Sequence, residues 1–195
     1  MKRMRVIDIS QEVFSCRVYP GDPAPEVERI MDMNRGDTYN LSRFSMCVHN
    51  GTHVDAPAHF MKEGKTVDEI PLEYFTGDCL VLRHTGNVSA DDAGEMLKKA
   101  AGTERILIAG DAVVTADAAR VFAAAGVKLL GNESQSVGPE DAPMEVHRIL
   151  LSAQVVLLEG IVLKDVAEGR YFLSAAPLNL AGCEGAPCRA YLIEQ

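Results

Sequence analysis

Positive charge and tryptophan are what this sequence has least of. Its 195 residues include 19 Lys and Arg against 28 Asp and Glu, which gives a formal net charge of -9, and they contain no Trp. Nucleic acids and anionic membrane surfaces attract basic proteins. The charge balance therefore argues against either as the main partner.

Long apolar runs are also absent, and no stretch approaches the length of a membrane span. Asp8 interrupts the apolar segment from Val6 to Ile9, which therefore lacks the pattern of a signal-peptide core. Five cysteines is an odd number, and without a secretion signal we expect reduced thiols in the cytoplasm. No second cysteine pair accompanies Cys183 and Cys188, so we interpret these two as small buried thiols rather than as a structural zinc site.

Strand and helix signals in the middle of the chain predict an α/β fold. Ser89 begins a capping-box pattern before a helix to about Ala101, and Thr115 caps a helix that Gly126 ends. The strand–helix–strand spacing predicts a parallel crossover unit, and the strand-rich ends can pair with each other. At this length we expect a single domain over residues 1–195, with a mixed β-sheet flanked by helices. The predicted strands are 5–9, 39–49, 78–83, 105–109, 127–130, 155–158, 171–175 and 189–193, and a third helix covers 143–152.

Three of the five histidines lie in the eleven residues from His49 to His59, written HNGTHVDAPAH. The alternation from Tyr39 predicts a half-buried strand with His49 at its C-terminal end. His53 and Asp55 are two residues apart, so they point the same way in extended chain. His49 can fold over the same point through a flexible glycine turn. Two imidazoles and a carboxylate that converge in this way form a three-ligand set for a divalent cation, with a fourth position open.

His59 follows Pro57 and has no strand or helix relation that would force it into the same ligand set. We assign it the role of a nearby acid/base residue. The alternative for the whole segment is a polar surface loop, in which each histidine taken alone would more often be structural. Three histidines and an aspartate at ligand spacing favour the metal site instead.

Glu159 is notable because it ends the apolar run Val155–Leu158, where an unpaired carboxylate would be costly. The carboxyl ends of sheet strands are also where α/β proteins place their sites. A plain exposed glutamate at a strand end is the alternative. His147 by itself is a helical histidine beside an apolar stripe, and its pattern favours a structural role.

The segment HNGTHVDAPAH resembles the His-x-Gly-Thr-His-x-Asp-x-Pro-x-His signature of the cyclase family of metal-dependent hydrolases, which includes bacterial kynurenine formamidases and isatin hydrolases. The resemblance implies a swivelling β/β/α fold. It also implies that His147 and Glu159 complete a two-metal centre in which Asp55 bridges the ions. Imidazole and carboxylate ligands suit zinc, and the carboxylate share is compatible with manganese. Further similar segments are 6–10, 19–22, 69–73, 175–180 and 185–190.

The resemblance also implies an activity, which is metal-assisted hydrolysis of an amide-type C–N bond in a small aromatic substrate. N-formylkynurenine is the first candidate, an isatin-like cyclic amide the second, and an inactive metal-binding protein the alternative from another class. His59 favours an enzyme, because metal binding alone does not need it. A homodimer or homotetramer is implied as well. The sequence departs from the formamidase pattern at Tyr19, Glu133 and Glu184, which bears on the substrate rather than on the ligands.

Overall fold

The computed structural model describes residues 4–194 and has an α/β architecture, which confirms the predicted fold class. The prediction of one domain over residues 1–195 also covers residues 1–3 and 195, which lie outside the described residues. The three α-helices are α1 Ala90–Ala100, α2 Ala116–Ala124 and α3 Met144–Ser152. The strands are β1 Val6–Asp8, β2 Glu26–Met31, β3 Leu41–Ser45, β4 His53–Asp55, β5 Thr76–Arg83, β6 Gly86–Val88, β7 Arg105–Ala109, β8 Ala112–Val114, β9 Leu129–Asn132, β10 Val156–Glu159, β11 Gly169–Ser174, β12 Gly185–Pro187 and β13 Tyr191–Glu194.

Nine strands form one mixed sheet in the order β1-β13-β11-β5-β7-β9-β10-β4-β12. The central strands β5, β7, β9 and β10 are parallel, and both flanks are antiparallel. Strand β1 pairs with β13, so the two ends of the chain meet as predicted. The parallel order follows from the crossover helices, because a connection between parallel strands must return along the face of the sheet.

Apolar side chains cover both faces of the central strands. Along β7, Ile106 and Ile108 pack toward the helices, while Leu107 and Ala109 belong to a second cluster on the opposite face. This alternation is the two-sided burial expected of parallel strands. Two of the helices begin at the predicted caps, since Ser89 and Thr115 each accept a hydrogen bond from a backbone N–H of the first turn.

The prediction for residues 39–49 was wrong in two respects. Strand β3 ends at Ser45, and all five of its residues are exposed. It pairs only with β2, in a two-stranded hairpin apart from the large sheet. His49 therefore lies in the turn that follows the strand and not at the end of a half-buried strand. The alternation of side chains is real, but neither face of the hairpin packs on the core.

The cysteines are free thiols, as expected. Cys183 and Cys188, interpreted from the sequence as small buried thiols, pack against the core but are half-buried rather than fully buried. Burial raises the pKa of the Cys188 thiol to about 12, so this thiol stays protonated at neutral pH. No α-helix within residues 4–194 is long and apolar enough to cross a membrane.

Candidate metal centre

The pairing of strands β4 and β10 places one imidazole and two carboxylates of the site close together. In the antiparallel pair β4–β10, His53 lies directly opposite Glu159, and Asp55 lies opposite Leu157. Side chains directly opposite each other share one face of the sheet. Because Leu157 belongs to the apolar cluster on the helix side, His53, Asp55 and Glu159 also face the helices.

His49 and His59 approach this face from the two ends of β4. The turn after β3 brings the His49 Nδ1 atom to 2.9 Å from an Asp55 carboxylate oxygen. A 3-10 turn, Pro57–His59, follows β4 and carries the His59 ring to 4.1 Å from the His49 ring, measured between centroids. Gly185 on β12 makes room, since a Cβ atom there would lie 2.8 Å from the His49 ring.

Helix α3 contributes His147 from above the sheet. Its Nε2 atom lies 3.5 Å from an Asp55 oxygen and 3.2 Å from a Glu159 oxygen. His147 is 3% exposed, although histidine in a helix would ordinarily be placed at the surface. The helix therefore carries one polar side chain into the interior, where the two carboxylates meet it.

The two distances from His53 to the carboxylates are longer than an ordinary charge-assisted hydrogen bond and close to the spacing of metal ligands. The Nε2 atom of His53 lies 3.4 Å from an oxygen of Asp55 and 3.4 Å from one of Glu159. A charge-assisted N–H···O bond is normally about 2.7–2.9 Å long. Ligand atoms that lie about 2.0–2.1 Å from a tetrahedral zinc ion are about 3.4 Å from one another.

The imidazoles are oriented for ligation by their other nitrogen atoms. The Nδ1 atom of His53 lies 3.0 Å from the Gly51 carbonyl oxygen, and that of His147 lies 2.9 Å from the Pro143 carbonyl oxygen. A backbone carbonyl can only accept, so both Nδ1 atoms donate to it, and each Nε2 atom faces the carboxylates and can offer a lone pair to a cation when it gives up its proton. The backbone N–H of Val137 donates to Glu159 at 2.7 Å and fixes the second carboxylate.

The protonation of the cluster without a bound ion shows how strongly it attracts positive charge. Burial alone would lower the pKa of His53 and of His147, but the carboxylates of Asp55 and Glu159 raise both values to about 10. Burial raises the pKa of Asp55, yet the hydrogen bonds from three imidazoles hold it well below its usual range. A divalent cation would supply the same charge in exchange for the imidazole protons.

The described residues contain two sets of three potential ligands, in each of which the ligand atoms lie within 4.8 Å of one another, and Asp55 belongs to both sets. One set is His53, Asp55 and Glu159, and the other is His49, Asp55 and His59. A second oxygen of Asp55 and the Nε2 atom of His49 are buried without a hydrogen-bond partner. Leaving such atoms unpaired is costly, so the residues fit one cation or two cations that share Asp55.

All six residues singled out in the sequence, five as ligands and His59 as an acid/base group, come together here. The grouping differs from the predicted one, because one set of ligand atoms joins His53 to Glu159 and the other joins His49 to His59, with Asp55 in both. The cluster opens into a cavity of about 220 Å³. The sequence analysis assigned no role at the site to several other residues that line the cavity, which are Asp22, Cys47, Phe60, Gln135 and Ser136.

Comparison with known proteins shows the family to which the chain is related. The model of the Cyclase family, described as "Putative cyclase", matches residues 7–115. A kynurenine formamidase from Salinibacter ruber is 36% identical over 97% of this chain and 97% of its own. A second one, from Erythrobacter litoralis, is 33% identical over 97% of this chain and 94% of its own.

The chain belongs to the cyclase family. A solved structure described as a potential metal-dependent hydrolase with cyclase activity is 30% identical, covers 99% of both chains and superimposes with a TM-score of 0.85. Isatin hydrolase A from Labrenzia aggregata is 21% identical over 97% of this chain and 93% of its own, with a TM-score of 0.82, and shares the fold. The cyclase fold therefore accounts for the sheet that carries the cluster.

Proposed function

We propose that this cyclase-family protein hydrolyses an amide-type C–N bond of a small aromatic substrate, with N-formylkynurenine, cleaved to kynurenine and formate, as the first candidate. One observation carries the proposal. Six imidazole and carboxylate side chains from five elements form one cluster, and all of them except Asp55 line a cavity of about 220 Å³. The two relatives named kynurenine formamidase, similar over nearly their whole length, support the choice of substrate.

The residues that would hold the metal are His49, His53, Asp55, His147 and Glu159. We propose two zinc or manganese ions per chain, because Asp55 belongs to both sets of ligand atoms and imidazole with carboxylate suits either metal. When bound, the ions supply Lewis acidity that lowers the pKa of water to about 7 and polarises a carbonyl oxygen.

His59 is the member of the cluster best placed to transfer a proton. Its side chain is 27% exposed, whereas that of His49 is 13% exposed and those of the other members are at most 4% exposed. Its Nε2 atom lies 3.9 Å from the nearest carboxylate oxygen, on Asp55, which is farther than for the other imidazoles of the cluster. We propose that His59 gives a proton to the leaving nitrogen at the cavity wall. Its membership of one ligand-like set makes metal content an essential measurement for any variant of this residue.

The protein is also proposed to act as a homodimer or homotetramer, in a reducing cytoplasm. The hairpin β2–β3 supports the proposed oligomer, because a two-stranded hairpin is only marginally stable unless another protein surface packs on it. Its exposed apolar side chains include Val27 and Phe44, at 56% and 54%. The free thiols support the proposed location in a reducing cytoplasm.

Metal analysis of the purified protein, combined with a panel of formylated anilines and cyclic amides, tests the proposal. We expect one to two divalent ions per chain and hydrolysis of N-formylkynurenine. A metal-free protein with full activity would contradict the role of the cluster. Bound metal without hydrolysis of any amide would indicate a metal-binding protein that is not an enzyme, and preference for a cyclic amide would move the substrate toward isatin-like compounds.

A further inference from the structure

Two buried polar side chains beside the metal cluster have oxygens that nothing in the protein uses. Gln135 is 4% exposed and Ser136 is 2% exposed, and both line the cavity. The side-chain oxygens Oε1 of Gln135 and Oγ of Ser136 have no hydrogen-bond partner. Buried polar atoms in native proteins nearly always have a partner. The cavity that both residues line is the place from which a partner can come.

The hydrogen bonds around Gln135 fix which of its atoms is free. Its Nε2 atom donates to the Gly51 carbonyl oxygen at 3.0 Å, and the same oxygen lies 3.0 Å from Nδ1 of His53. An inverted amide would set two oxygens against each other, so Oε1 is the unused atom and it can only accept. Gln135 therefore presents an acceptor to a ligand with an N–H or O–H group.

Gln135 and Ser136 are each connected to a different proposed ligand through hydrogen bonds of the backbone. Gln135 shares the Gly51 carbonyl with His53, while Ser136 precedes Val137, whose N–H donates to Glu159 at 2.7 Å. Both residues therefore lie beside the cluster where, under the proposed function, the scissile amide would bind. In that amide the N–H group is one bond away from the carbonyl that the metal would polarise.

We infer that Gln135 and Ser136 form a hydrogen-bonding subsite for the N–H group of the scissile amide, and that the subsite selects secondary amides over the corresponding esters. The inference rests on the proposed amidase function. Gln135 accepts the N–H directly, and the hydroxyl of Ser136 can accept from the amide or the departing amine. An ester has oxygen in place of N–H and leaves both groups without a donor.

The test compares two substrates that differ only in this group, N-(2-acetylphenyl)formamide and 2-acetylphenyl formate. The readout is the ratio of kcat/KM for the amide to kcat/KM for the ester, which a partial loss of metal does not change because it lowers both rates. We expect Ser136→Ala and Gln135→Met each to lower this ratio by about 3- to 10-fold, the effect of one hydrogen bond.

Ser134→Ala is the matched control in the same loop. Its hydroxyl already donates to Glu140 at 2.7 Å, so we expect it to lower thermal stability while leaving the ratio unchanged. Ser136→Ala removes an unpaired buried hydroxyl and should leave the melting temperature unchanged or raise it. An unchanged ratio in both subsite variants of an active amidase would overturn the inference alone. A wild type that hydrolyses no amide would instead reject the proposed function.

Discussion

The hairpin β2–β3 and the segment His49–His59 are neighbours in the chain but contrast in burial. The hairpin displays Val27 and Phe44 to solvent, whereas the segment buries His53 at 1% and Asp55 at 0% exposure. Judged by hydrophobicity alone, the apolar side chains would be buried and the histidine and aspartate would be exposed. We propose that each region is adapted to a partner, a second copy of the chain for the hairpin and divalent cations for the segment.

The largest effect should come from His53→Ala, which removes a nitrogen placed against both Asp55 and Glu159. We expect most of the metal to be lost and amide hydrolysis to fall by about 10³-fold or more, since the ions supply several kcal/mol of transition-state stabilisation. Elemental analysis and the hydrolysis rate measure the two losses.

His84→Ala is the control for that substitution. His84 is the one histidine outside the cluster, and its Nε2 atom lies 3.1 Å from the backbone oxygen of Asn87. Metal content and rate should stay at the wild-type values. If His53→Ala kept its metal and its activity as His84→Ala should, the buried segment would be structural. The proposal that it is adapted to bind cations would then be wrong.

For His59→Ala we expect a fall in kcat of ~10²–10⁴ with metal content close to that of the wild type, as is typical for loss of an acid/base group. The higher exposure of this side chain is the physical reason to separate it from the ligands. Metal stoichiometry and kcat should be measured on the same preparation. Loss of metal in proportion to activity would make His59 a ligand.

Glu159→Gln removes one of the two buried carboxylates while nearly keeping its shape. Two cations close together are tolerated only where carboxylates offset their repulsion, and Asp55 would have to serve both alone. The stoichiometry should fall toward one ion per chain, and the rate should fall by roughly 10–100-fold because one ion then supplies all of the Lewis acidity. Equal stoichiometry and rate in wild type and variant would leave a mononuclear site built from residues 49–59.

The smallest effect on the folded chain should come from the double substitution Val27→Ser and Phe44→Ser. These residues are paired across the hairpin and exposed on one face, so the free energy of unfolding of the isolated chain should change by about 0.5 kcal/mol or less per site. The proposed oligomer should dissociate, with a dissociation constant raised about tenfold or more. Light scattering at several concentrations measures this.

Leu72→Ser provides the comparison for the hairpin variant, because Leu72 is 65% exposed at a position far along the chain from the hairpin. It should leave the oligomer intact. A monomeric wild type would show that the apolar hairpin needs no second copy.

Local signals in the sequence were sufficient for the central part of the fold. The caps at Ser89 and Thr115 and the apolar strands between the helices act over a few residues, so the pattern predicted them to within one or two positions. The strands β2, β6, β8 and β12 were not predicted. Three of these four are only three residues long, and the fourth lies in the exposed hairpin, so none carries a strong periodic pattern.

Within the site, the sequence by itself determined the segment from His49 to His59. Two-residue spacing aims His53 and Asp55 to one side whatever surrounds them, and the short turns bring His49 and His59 to the same place. His147 and Glu159 were assigned through a resemblance to a family, since nothing in their local pattern requires them to meet. Only tertiary structure decided that meeting: the register of β4 on β10 sets Glu159 opposite His53. It also placed Gln135 and Ser136 at the cavity, because a loop acquires its neighbours from the strands that the sheet puts beside it, and those contacts have no period along the chain.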